Sequence, residues 1–167
     1  AQMDLQDKSH GSPLGYAAEQ GHVAVTALLL AKGAQADLCD DKGRAPLNWA
    51  SLQGHEATVA ALLAGGAQVN LTSKIGIAPL FVAANGGHEA VVAVLLANGA
   101  QVNLTTVDAH TDTALSAAAG EGHEAVVEAL LAKGARKDLV NKTGDTPLSM
   151  AEKHGHASVV ALLTTKE

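Results

Sequence analysis

The feature that most constrains this chain is a repeat spacing of 33 residues. Pro13-Leu14, Pro46-Leu47, Pro79-Leu80, Ala114-Leu115 and Pro147-Leu148 follow one another at intervals of 33, 33, 35 and 33. Gly-His keeps the same step at Gly21-His22, Gly54-His55, Gly87-His88, Gly122-His123 and Gly155-His156, and Gly-Ala closes units at Gly33, Gly66, Gly99 and Gly134. Three markers on one period mean that one supersecondary unit recurs, because a shared spacing requires a shared local structure. The five units are read as residues 1–33, 34–66, 67–99, 100–134 and 135–167.

Within the third unit, Pro79 suits the first position of a helix, where its missing N–H is not needed, and the Ala-rich run after it continues to Asn85-Gly86-Gly87. A second helix over 88–97 sets Val91, Val92, Leu95 and Leu96 on one face, with Glu89 in its first turn, before Asn98-Gly99 stops it. Helices this short are marginal alone in water, so each unit must bury its apolar face against the next.

Composition fits a packed chain. Apolar residues make up 47% and charged residues 17%, which excludes disorder driven by high charge and low hydrophobicity. No apolar run reaches the roughly twenty residues of a membrane span, so no membrane partner is expected. A formal charge of -6 with no Lys/Arg run opposes binding to phosphate backbones, and nucleic acid is not an expected partner. One cysteine, Cys39, can form neither an internal disulfide nor a zinc cage, which suits a reducing compartment. A cytoplasmic monomer is the expectation.

With these residues in view, the chain resembles the ankyrin repeat family over essentially its whole length. Thr146-Pro147-Leu148-Ser149-Met150-Ala151 is similar to that family's Thr-Pro-Leu-His-x-Ala signature, and the Gly-His and Gly-Ala pairs match in register. The resemblance implies an all-α solenoid of five helix-turn-helix units joined by short β-hairpin fingers. Three departures stand out. The His of the signature is replaced by Gly15, Asn48, Phe81, Ser116 and Ser149, so its bond to the finger is expected to be lost. Ala45 and Ala78 stand where Thr would cap a first helix, at about 1 kcal/mol each. The fourth unit has two extra residues within Leu104–Asp112 and no Gly there, so its finger should be longer.

No catalytic residue, metal site or cofactor is expected. His55-Glu56, His88-Glu89 and His123-Glu124 lack the second His four residues on that a helical zinc motif needs; Val59, Val92 and Val127 stand there. The Gly-His histidines are read as parts of the recurring turn, and His154 with His156 lacks a third ligand. Asp40-Asp41 lies in a finger, where Asp commonly stabilises turns through the backbone. Tyr16 and Trp49, 33 apart, are expected to fill the space between helices as Val82, Ala117 and Met150 do elsewhere. Phe81 instead occupies the vacated His slot, where an aromatic can anchor an interface.

By the resemblance, partners bind the concave side made of finger tips and first helices. Carried over residue by residue, this gives Asp41, Lys42, Arg44, Lys74, Ile75, Ile77, His110, Asp112, Lys142 and Asp145 on the fingers, and Leu52, Gln53 and Glu121 at helix ends. Trp49 and Phe81 complete the candidate surface. Ile75 and Ile77 have no obvious core to fill; with Leu52 and Phe81 they would form an apolar patch ringed by Lys42, Arg44 and Lys74, in the manner of a protein interface. The function expected is therefore a non-catalytic protein-binding module. Alternatives are a spacer within a longer array and an engineered, consensus-like binder, the latter suggested by the near-identical stretches Gly66–Thr72 and Gly99–Thr105.

Overall fold

A computed structural model of the chain describes residues 4–7, 11–107 and 111–165. Ten helices occupy the described residues in pairs: α1 Pro13–Glu19 with α2 Val23–Ala31, α3 Pro46–Leu52 with α4 Glu56–Ala64, α5 Pro79–Asn85 with α6 Glu89–Ala97, α7 Ala114–Glu121 with α8 Glu124–Ala132, and α9 Pro147–His154 with α10 Ala157–Thr164. The first helices of successive pairs stack on one another, as do the second helices, so the architecture is an all-α solenoid.

The first helices begin where the sequence places Pro and its preceding cap. Ser12, Thr113 and Thr146 each accept a backbone N–H three residues on, which satisfies one of the donors a helix start leaves open. Ala45 and Ala78 supply no such bond. At Ala45 the loss is met from the other direction: the Asn48 Oδ1 accepts the Ala45 N–H at 3.0 Å. The Asn48 Nδ2 also donates to the Ile77 carbonyl at 3.2 Å. The finger bond expected to disappear with the signature His is thus made here by an amide.

Leu47, Leu62, Leu80, Val92, Leu95, Leu115, Val127 and Leu130 form one continuous buried cluster running through the stack. Each such side chain contributes about 1.5–3 kcal/mol when removed from water, and the cluster they form is continuous from one pair to the next. Repeats are also tied by polar bonds outside the core. The Asp37 carboxylate accepts the Gln68 backbone and side-chain N–H groups at 3.0 and 2.9 Å, and the Asn70 and Asn103 Oδ1 atoms accept the backbone N–H of Gln101 and Arg136.

The fingers differ from the expected β-hairpins. Among the described residues no strand forms, and an isolated antiparallel bridge pairs Thr105 with Thr113. The reason is the turn chemistry. Asp40, Ser73 and Asn141 each donate their N–H to the carbonyl four residues on, in Arg44, Ile77 and Asp145. Their side-chain oxygens accept the returning N–H groups of those same residues. A turn closed this tightly leaves little extended chain to pair. Neighbouring fingers are joined by backbone bonds of 3.0 Å from the Lys74 N–H to the Lys42 carbonyl and from the Val107 N–H to the Ile75 carbonyl. In the fourth finger closure runs over six residues, from Thr106 to Asp112, instead of four. Thr111, just before Asp112, has φ 57°, a conformation costly for a β-branched residue.

Candidate protein-binding surface

Between the second and third fingers lies a groove of about 580 Å³, floored by α3 and the start of α5 and lined by Asp41, Lys42, Arg44, Asn48, Trp49, Leu52, Ser73, Lys74, Ile75, Ile77 and Val82. Its wall is mainly apolar because Ile75 is 49% exposed at the finger tip, Leu52 projects from the last turn of α3, and Trp49 stands one turn earlier on the same helix. Ile77 is half-buried. It ends the turn begun at Ser73, and its carbonyl is held by Asn48.

Charge surrounds this floor unevenly. Arg44 is not a free cation: its Nε lies 2.8 Å from the Asp40 Oδ2, and its guanidinium carbon lies 3.9 Å from the centroid of the Trp49 ring. Burial alone would raise the Asp40 carboxyl, but hydrogen bonds from the backbone N–H and guanidinium of Arg44 and from the Lys42 N–H outweigh it. They hold that carboxyl below the ordinary carboxylate range. Lys42 and Lys74 are exposed and make no ion pair with a described residue. The groove therefore offers an aromatic stiffened by a stacked cation, aliphatic walls, and two unpaired ammonium groups on its rim.

The candidate residues thus divide by position. Asp41, Lys42, Arg44, Trp49, Leu52, Lys74, Ile75 and Ile77 come together in this groove. Gln53 caps α3 in an exposed position, Glu121 is exposed at the end of α7, and Lys142 is exposed on the fifth finger. Phe81 is half-buried and does not line the groove; Val82, the next residue, does. Asp112 accepts the Asn141 Nδ2 at 2.9 Å. Asp145 is only 8% exposed, and its carboxylate is occupied by Lys153 at 2.5 Å, Thr143 and Ser149. It serves the finger base and not an open surface. His110 lies outside the described residues. Asn48, Ser73 and Val82 are the lining residues that sequence reasoning missed; Asn48 is signalled only by standing in the His slot.

Tyr16 departs from the interhelical role expected of it. It is 48% exposed, and its hydroxyl donates to the Asp7 Oδ2 at 2.5 Å. Trp49 is half-buried and faces the groove.

The histidines are placed as parts of the turn. Nε2 atoms of His55, His88, His123 and His156 lie 2.9–3.0 Å from carbonyl oxygens of the preceding repeat. His154 and His156 have ring centroids 6.3 Å apart, and His156 spends its Nε2 on the Gly120 carbonyl. Among the described residues no group of three His, Cys, Asp or Glu side chains is arranged to hold a metal ion. The Cys39 thiol is pushed up by burial and by the carboxylates of Asp37 and Asp40, which lowers its reactivity.

A family model described as ankyrin repeats (3 copies) matches residues 1–73, 53–140 and 80–167. The chain belongs to the ankyrin repeat family. No curated protein matches the chain. Ankyrin repeats are generally protein–protein interaction modules and typically lack enzymatic activity. Among the described residues of this ankyrin chain no helix is long and apolar enough to cross a membrane.

Proposed function

We propose that this chain is a non-catalytic ankyrin module that binds a peptide or folded partner on its concave side, with the groove between the second and third fingers at the centre of contact. The observation that carries this reading is the junction of Trp49, Leu52, Ile75 and Ile77 with the unpaired rim cations Lys42 and Lys74 in one groove of about 580 Å³. Desolvated aromatic and aliphatic anchors supply most of the energy of such interfaces, and a charged rim selects and steers the partner. A segment combining apolar side chains with Asp or Glu fits both features. The remaining aspartate on the rim, Asp41, sets the register of that segment by repelling acids placed opposite it.

The test is selection from a displayed peptide library against the intact chain. Enrichment of acidic–apolar sequences supports the reading when Ile75→Asp and Lys74→Glu each abolish their binding with unchanged melting temperature. Ile75 and Lys74 are exposed, so neither change should unfold the chain. Binding that survives both substitutions would remove the groove from the proposal.

A further inference from the structure

The first and last repeats each have a neighbour on one side among the described residues, yet their second helices present different surfaces. In α10, Val159 is 1% exposed and Leu162 half-buried, with α8 on the preceding side. In α2, the residues at the same two positions, Val25 and Leu28, are 46% and 58% exposed although α4 packs on the following side. Val91 and Val126, at the position of Val25, are each 1% exposed. Burial at these positions is therefore completed by the repeat ahead, and the one behind leaves them half open. At the finger base the same contrast recurs: Leu5 is 62% exposed, whereas its equivalent Leu139 is half-buried.

A polar observation, independent of apolar area, has the same direction. His55, His88, His123 and His156 each reach a carbonyl at the end of the first helix of the repeat before, in Glu19, Leu52, Asn85 and Gly120. His22 is their equivalent and finds no such acceptor among the described residues. The last repeat departs from the others at another position. Thr164 replaces the leucine found at that position in the other four second helices, and its hydroxyl donates back to the Val160 and Ala161 carbonyls.

We infer that the outward face of the first repeat, built from Leu5, His22, Val25 and Leu28, is a stacking interface for one more repeat of the same kind, carried ahead of Ala1 in the same polypeptide. This continues the interface that joins each repeat to its predecessor, and it supplies His22 with the carbonyl its four equivalents have. The inference stands apart from the groove and its partner.

The test places a copy of residues 34–66 directly ahead of Ala1, which restores a Gly-Ala junction. That unit carries the more polar Thr58 and the smaller Ala61 at the positions of Val25 and Leu28, so its own outward face is less apolar. The extended chain is expected to melt in one transition, at least about 4 °C higher than the 167-residue chain. Val25→Glu with Leu28→Glu, and separately His22→Ala, should leave the melting of the 167-residue chain nearly unchanged and lower that of the extended chain. Two transitions, an unchanged melting temperature, or equal mutational effects in both chains would overturn the inference. Concentration-dependent self-association of the 167-residue chain abolished by Val25→Glu with Leu28→Glu would overturn it too, because the occupant would then be a second copy.

Discussion

The Nε2 of His88 lies 3.0 Å from the carbonyl oxygen of Leu52, across the boundary between two repeats. The same ring covers Gly54, where an added Cβ would stand 2.5 Å from Nδ1 and where φ is +74°. This accounts for the Gly-His pair physically: the glycine of one repeat leaves the space that the histidine of the next occupies. Gly54→Ala is expected to destabilise by about 1–2 kcal/mol from the left-handed backbone alone, with ring displacement added. His88→Ala should cost about 1 kcal/mol for the lost bond. The double variant should cost less than the sum, since removing the ring relieves the clash. Urea denaturation of the three variants checks this, and simple additivity would contradict the contact.

Thr58 is wholly buried, and its hydroxyl has no hydrogen-bond partner among the described residues. Valine stands at the equivalent positions Val91, Val126 and Val159. Thr58→Val removes an unsatisfied polar group at nearly constant volume and should stabilise by about 1 kcal/mol. Thermal melting should rise by about 2–4 °C; a lower melting temperature would show that the hydroxyl is satisfied in solution.

Acid should weaken the fold through its tied carboxylates. The Lys153 hydrogen bond, with Thr143 beside it, holds the Asp145 carboxyl below its ordinary value, and Asp40 is held down in the same direction by Arg44 and Lys42. A folded pKa below the unfolded one adds stability above the unfolded value, about 3.9 for Asp, and that stability is lost as pH falls through the folded value. Melting temperature is therefore expected to change little between pH 7 and about 5 through these groups and to drop below about 4. Asp145→Asn should flatten part of that drop in a pH series of thermal melts.

Trp49 is the chain's one tryptophan, so its fluorescence reports on the groove without ambiguity. Arg44→Ala removes the guanidinium stacked on the ring and is expected to shift emission to longer wavelength and increase quenching by acrylamide, with far-ultraviolet circular dichroism unchanged. Identical spectra would mean that the cation does not cover the ring in solution.

The periodic part of this architecture was readable in the sequence because it depends on local chemistry repeated in register. Pro79 starts α5, Asn98-Gly99 ends α6, and the Val/Leu spacing between them names the buried face. Much of the groove was also legible, since Ile75 at a finger tip has nothing behind it to cover. What escaped depends on contacts between segments. Val82 replaces Phe81 in the wall because a one-residue step on a helix turns a side chain by about 100°. Asp145 turns inward because Lys153, on the helix after it, folds back to meet it. The exposure of Tyr16 could not be read from its match with Trp49, because it accompanies a hydrogen bond to Asp7 that has no counterpart at Trp49, whose ring lies against Arg44 instead.

In substantial contacts among the described residues each helix touches only helices of its own or an adjacent repeat, and no described helix straps one end of the stack to the other. A pulling force applied at the two termini would meet a series of similar, separately breakable joints, and the trace should be a staircase rather than one rupture. The stack should also flex like a leaf spring, widening or narrowing the groove between its second and third fingers by small adjustments shared among many joints.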